Sequence, residues 1–418
     1  MQLGFAAALA ASLLAAACGP PAGTLLTVSG SAVGLEAELL QNQIQRFNQS
    51  HPGITVSLRA TPDGSDQRHQ LYVQWLNAHA ADPDILQLDV IWTAEFAAAG
   101  WIARLDRFEP STDRFFPAAL DANRWNGSVF ALPWFVDVGL LYWRTDLMQQ
   151  PPATMDQLHE FARKAEAEHK VPFGMVWQGA RYEGLVTVFL EQLGAYGGSI
   201  LDAQGRVEVD SDAAVQALTA MCDAIHVEKT VPPAVLGWQE EQTRFAFQNG
   251  EAAFMRNWPY ARPLLDDPAR SAVAGRFAIA AMPAGPGGVP TAALGGSALA
   301  INAFSDRKDE AAKFIAFLLA AEQMLERARV TGQYPPDPAL YDTPELSSAL
   351  HTDAHALRAI IEHAVARPAT PVYSELSSIL QVSLHRALTG QQTPREALRD
   401  GARDMRHLLT RVHLQPGS

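Results

Sequence analysis

Three short apolar runs separated by two helical patterns set the strongest limit on what this chain can fold into. Leu25-Leu26-Thr27-Val28, Ile54-Thr55-Val56-Ser57-Leu58 and Asp84-Ile85-Leu86-Gln87-Leu88 each have the length and side chains of a strand. Between the first two, Ala37, Leu40, Ile44 and Phe47 recur on one face of a helix. His51-Pro52-Gly53 ends that helix, because proline cannot continue it and glycine accepts the turn. A polar helix from about Ser65 to His79 fills the second interval. Strand alternating with helix predicts an α/β fold built on an open, mainly parallel sheet covered on both faces.

The pattern then restarts. Gly139-Leu140-Leu141-Tyr142-Trp143 is strand-like, a helix carries Leu158, Phe161 and Ala165, and Val171 to Val176 is strand-like again. Gly184 to Leu193 reads as an apolar helix. Proline, glycine and small residues crowd Met282 to Gly296, after which Leu299-Ala300-Ile301 resumes as a strand. Two more amphipathic helices follow, one with Ala311, Phe314, Ile315 and Leu318 inward, the last with Leu398, Ala402, Met405 and Leu409. A chain of 418 residues exceeds one compact core. Two lobes are expected, with the chain crossing between them more than once.

Charge and the N-terminus narrow the function classes. With 32 Lys+Arg against 45 Asp+Glu, the net charge of −13 argues against a nucleic-acid partner. No apolar run reaches the ~20 residues that span a bilayer. The first charged side chain is Glu36, and the apolar run Leu3 to Ala17 leads into Cys18-Gly19-Pro20. This has the form of a signal peptide over residues 1–17 with Cys18 as the lipidation site; a plain secretory peptide is the near alternative, and both export the chain. Once Cys18 is modified, Cys222 has no disulfide partner and reads as a small apolar residue on a helix.

No Gly-x-Ser-x-Gly elbow, His-Glu-x-x-His helix or Walker loop is present, and the 12 histidines lack metal-ligand spacing. Two hydrolytic carboxylates need no local motif, so an exported glycoside hydrolase stays open. What stands out is aromatic residues mixed with carboxylates and arginines at strand ends: Asp89 to Trp92, Trp134 to Asp137, Trp177-Gln178, Arg256 to Tyr260 and Arg367-Pro368. A sugar needs this mixture. Its C–H face lies on a flat ring, and its hydroxyls need oriented planar donors and acceptors. Each residue also has a plainer reading. Trp75, Trp101, Trp125 and Trp143 are expected in the core, with Trp238 undecided; Asp89 and Asp137 suit helix caps, Arg68 a solvated face, and Arg256 an ion pair.

Together these segments, with Phe47 to Val56, Asp82-Pro83-Asp84, Gly100-Trp101-Ile102, Ala131-Leu132-Pro133, Tyr182-Glu183-Gly184 and Leu294-Gly295-Gly296, resemble a known family. It is the extracellular solute-binding proteins of ABC sugar importers, specifically the trehalose/maltose-binding branch of the maltose-binding-protein-like family. The resemblance implies a two-lobed periplasmic-binding-protein fold of type II, with hinge crossovers. It places 24–135 plus 294–345 in the N-terminal lobe and 136–293 plus 346–418 in the C-terminal lobe. It implies a disaccharide between the lobes, trehalose first and maltose second, with another oligosaccharide or a glucosyl-polyol as alternatives.

Carried onto this chain, Glu36, Arg68 and Asp89 are polar contacts from the first lobe, and Asp137 is a hydroxyl acceptor at the cleft floor. Trp258 and Tyr260 form a stacking wall, Gly295 and Gly296 admit backbone close to the sugar, and Arg367 is a donor tied to neighbouring acids. Two positions depart from the pattern: Phe135 stands where relatives often have Tyr, and Ser297 where Trp is frequent. The implied partners are the sugar, ABC permease subunits and a membrane lipid anchor. The protein is expected to be a periplasmic or cell-surface monomer that needs no cofactor and turns over no sugar.

Overall fold

The computed structural model describes residues 23–412, apart from 32–33, 169 and 287–288. Cys18 and the signal segment lie outside the described residues. The described residues form eleven strands: β1 (Thr24–Gly30), β2 (Ile54–Ala60), β3 (Ile85–Asp89), β4 (Arg124–Trp125), β5 (Ser128–Val129), β6 (Ala131–Val138), β7 (Leu140–Arg144), β8 (Phe173–Val176), β9 (Ala252–Asn257), β10 (Phe277–Ala280) and β11 (Leu294–Ile301). The two-lobed α/β architecture rests on two sheets. The first has the order β2-β1-β3-β11-β6, and the second β10-β7-β9-β8.

Local rules account for the elements between the strands. The Glu36–Ser50 helix buries Leu39, Leu40, Ile44 and Phe47 and stops before Pro52, with Gly53 at φ +102° in the following turn. The Glu183–Ala195 helix is buried along almost its whole length, as its apolar sequence requires. Cys222 sits half-buried on the Asp212–His226 helix, where burial, with Asp223 nearby, pushes its thiol up to about 12. Trp143 is core, whereas Trp75, Trp101 and Trp125 are half-buried at the margin of a smaller cluster around Tyr72, Leu88 and Phe96. Trp238 is also half-buried, edge-on to Phe173.

The sheets are mixed, which corrects the mainly parallel expectation. Strand β1 runs parallel to β2 and β3, but β11 is antiparallel to both β3 and β6. In the second sheet β7 is antiparallel to β9 and β10, and only β8 and β9 pair in parallel. The reason is topological. Strand β6 carries the chain out of the first sheet and β11 brings it back, so where they lie side by side, Val138 opposite Leu294, they must run in opposite senses. Apolar periodicity carries no information about that direction.

The crossovers converge on one place. Gly139 N–H donates to Ala293 O at 3.2 Å, Leu294 N–H to Val365 O at 2.8 Å, and Val365 N–H to Ala292 O at 2.8 Å. Three chain segments thus run together between the sheets. Gly139 has no room for a side chain: a Cβ there would lie 1.7 Å from Glu191 Oε1. Glu191 pairs with Arg256 through two hydrogen bonds in the interior just behind this point. Beyond Val365, the Tyr373–Leu388 and Pro394–Arg411 helices pack on the helices of the second sheet. The preceding helices, Pro344–Leu350 and Ala354–Glu362, pack beside β6 and the Ala321–Thr331 helix instead.

Candidate functional site

A cleft opens where the ends of β1, β3, β6, β9 and β11 face one another across the crossovers. Ligands of open α/β sheets characteristically bind at such strand ends. Glu36, Arg68, Asp89, Phe135, Asp137, Trp258, Tyr260, Gly295, Gly296 and Arg367 all line it. Residues separated by more than three hundred positions therefore share one hollow.

The first-lobe wall is a hydrogen-bonded set. Glu36 opens its helix, where the helix N-terminus favours a carboxylate. It accepts from Gln333 Nε2 at 2.6 Å and from the Ser31 hydroxyl, with Gln87 Nε2 at 3.5 Å. Gln87 also donates to Ser297 Oγ at 3.1 Å and accepts from Ser31 N–H at 2.8 Å. Arg68 is buried, which corrects the solvated-face reading. Its Nη1 donates to Pro62 O at 3.2 Å, its guanidinium lies 5.4 Å from the Trp92 ring, and its Nε has no partner.

The floor comes from β6 and β3. Phe135 and Asp137 are two residues apart on a strand, so both side chains point the same way, into the cleft. Asp137 Oδ1 is buried without a hydrogen-bond partner. Burial, reinforced by the Glu36 and Asp89 carboxylates, raises the Asp137 pKa well above the ordinary range despite Arg327 and Arg256 nearby. Asp89 does two jobs: its Oδ1 accepts from Ile91 N–H at 3.3 Å, as in a cap, and from Arg367 Nη2 at 3.2 Å. Gly296 is needed by the sheet as much as by the cleft. At φ +116° it sits beside the point where the β6–β11 register shifts by one residue at Trp134, and a Cβ would lie 2.3 Å from Phe135 O. Gly295 lies under Trp258, with its hypothetical Cβ 3.0 Å from the ring.

Trp258, from the end of β9, is half-buried and so keeps ring surface open to the cleft. Its Nε1 donates to Glu240 Oε1 at 3.4 Å, and the Arg256 guanidinium lies 3.9 Å from its ring centre. Tyr260 is buried, its hydroxyl donating to Glu241 Oε1 at 2.7 Å. Arg256 makes the ion pair expected of it, with Glu191. Arg367 Nη1 donates to Glu183 Oε1 at 2.8 Å while Nη2 reaches Asp89, and its Nε is unpartnered.

The sequence reading missed Ser31, Gln87, Glu183, Glu240 and Gln333 as lining residues. Glu183 did leave a signal, a charge heading the apolar run Gly184 to Leu190. Burial raises its pKa against the opposing effects of Arg367, Ser377 and Tyr373. Gln333 left none, because it reaches the site from a turn after Gly332. Among the described residues there is no cluster of metal ligands, and no helix is long and apolar enough to cross a membrane.

A cleft between two α/β lobes, lined from both and reached by several crossovers, defines a small-solute binding protein. The profile of the bacterial extracellular solute-binding protein family matches residues 33–325, and the chain belongs to that family. A probable ABC transporter-binding protein of Deinococcus radiodurans is 35% identical, over 94% of this chain and 96% of its own length. Maltose-bound MalE3 of T. maritima is 41% identical and superposes with a TM-score of 0.88, covering 93% of this chain and all of its own. A solute-binding protein of Thermotoga lettingae bound to α-D-tagatose, 24% identical, shares the fold at a TM-score of 0.84, covering 93% of this chain and 100% of its own.

The raised Asp137 pKa has a consequence for stability. Ionising this group opposes folding, a cost absent below the ordinary carboxylate pKa of 3.8 and growing as the pH rises above it. Asp137→Asn is expected to raise the melting temperature of the ligand-free protein at neutral pH, the advantage shrinking as the pH falls towards 4. An advantage independent of pH would contradict this.

Proposed function

We propose that this protein is the substrate-binding receptor of an ABC sugar importer, capturing a glucose disaccharide between two closing lobes. One observation carries the reading. Buried polar atoms without partners, Asp137 Oδ1, Arg68 Nε and Arg367 Nε, belong to residues lining the same cleft as the open ring of Trp258. Unpartnered buried groups are costly, and sugar hydroxyls are suited to relieve the cost while the ring takes the C–H face. The 41% identical relative with bound maltose supports this ligand class. Maltose and trehalose are the first candidates, and Ser297, which lines the cleft, offers a hydroxyl rather than a ring there.

The proposed lobes are 24–135 plus 294–345, and 136–293 plus 346–418, with one amendment. The packing of the Pro344–Leu350 and Ala354–Glu362 helices favours keeping them with the first lobe and moving the last crossover to about Val365. Closure is a hinge motion favoured by a ligand that touches both lobes. Driving it from mostly open to mostly closed takes about 5.5 kcal/mol of preference for the closed form. Several charge-assisted hydrogen bonds with stacking supply that. We further propose that the receptor is a monomer, delivers its sugar unchanged to membrane permease subunits, and is held at the membrane by acylated Cys18.

Isothermal titration with maltose and trehalose tests the ligand. Saturable binding of at least one, with the sugar recovered intact, is expected, and Trp258→Ala should weaken it about tenfold or more through lost stacking and burial. Released glucose would count against the receptor, and no binding of either sugar would count against a glucose disaccharide as its ligand. Cys18→Ala is expected to move the protein to the soluble export fraction with its sugar affinity intact. Acyl labelling that persists in that variant would refute the anchor.

A further inference from the structure

Behind the first-lobe wall, one arginine has an environment that the sugar contacts do not explain. Arg327, on the Ala321–Thr331 helix, is 2 % exposed and does not line the cleft. Its guanidinium lies 3.8 Å from the Trp134 ring centre and 5.3 Å from that of Phe135. Nη1 donates to Gln333 Oε1 at 2.7 Å, whereas Nε and Nη2 have no partner. A fully buried cation with two unsatisfied nitrogens is expensive unless its charge and its one good bond serve something.

They serve the orientation of Gln333. A side-chain amide has a donor end and an acceptor end. Arginine only donates, so it draws the Gln333 oxygen towards itself, where the Thr331 hydroxyl also lies at 3.1 Å, and turns the NH₂ group towards Glu36, whose Oε1 accepts at 2.6 Å. Were the amide reversed, an oxygen would face the Glu36 carboxylate. The positive charge of Arg327 also acts on the two cleft carboxylates, Glu36 and Asp137.

We propose that Arg327 is a positioning residue for the sugar site, acting through Gln333 to hold Glu36 as a fixed acceptor for a ligand hydroxyl. This rests on the sugar-receptor reading above. It adds two residues that set affinity without stacking on or donating to the sugar. Arg327 acts from outside the cleft, and Gln333 from its margin.

Calorimetric titration with maltose and trehalose separates this inference from the reading beneath it. Gln333→Leu should raise the dissociation constant about tenfold, the scale of one lost hydrogen bond to a charged group. In a Glu36→Ala background, adding Gln333→Leu should weaken binding no further, because its effect runs through Glu36. Arg327→Met should weaken binding about as much as Gln333→Leu, and Arg327→Lys, which keeps the charge and a donor, should recover most of it. Wild-type affinity in Gln333→Leu, or additive losses in the Glu36→Ala background, would overturn the proposal even if Arg327→Met fails to fold. If the wild-type protein binds neither sugar, the disaccharide reading fails and this proposal with it.

Discussion

A guanidinium almost removed from water is costly without acceptors, and Arg367 finds them in three distant parts of the chain. Glu183 at the head of a second-lobe helix, Asp89 at the end of β3, and the carbonyl of Leu294 at the start of β11 all converge on it. Burial works against the charge, and Asp89 and Glu183 overcome it, so the pKa of the arginine is raised. Glu183 is held in turn by the hydroxyls of Tyr373 and Ser377 from the next helix. This buried network spans the crossovers, and the floor of the cleft is built upon it. Such a network is a poor source of net stability but a strong one of geometry: a partner that moves leaves a charge unpaired.

The same logic shapes the rest of the site. Glu36 is fixed by Ser31, Gln87 and Gln333, Trp258 is backed by Arg256, and Arg256 is neutralised by Glu191. Cleft groups are thus oriented by protein partners, yet Asp137, Arg68 and Arg367 each keep one buried atom unsatisfied. A preorganised site with vacant hydrogen-bonding capacity meets a polyhydroxylated ligand at a low ordering cost.

Much of this was legible in the residues. The helix carrying Leu40, Ile44 and Phe47, the three early strands and the amphipathic tail follow from period and punctuation alone. The direction of β11 did not, because antiparallel return follows from the chain's route between lobes, and side-chain pattern is the same for either direction. Among the site residues, aromatic and charged groups at strand ends drew attention because their types are unusual there. Arg68 was harder, since a helix charge is usually solvated and its burial depends on Trp92 and the Pro62 carbonyl. Gln333 and Arg327 were invisible: a glutamine after a turn and an arginine on an amphipathic helix look ordinary until the fold sets them against Glu36 and Trp134.

The central claim is that a sugar draws two lobes together about the crossovers at Gly139, Leu294 and Val365. Small-angle X-ray scattering of the purified protein, with and without saturating maltose or trehalose, tests it most directly. A smaller radius of gyration is expected with the sugar that binds, and no change with a sugar that does not. A calorimetrically confirmed ligand that leaves the scattering curve unchanged would contradict it.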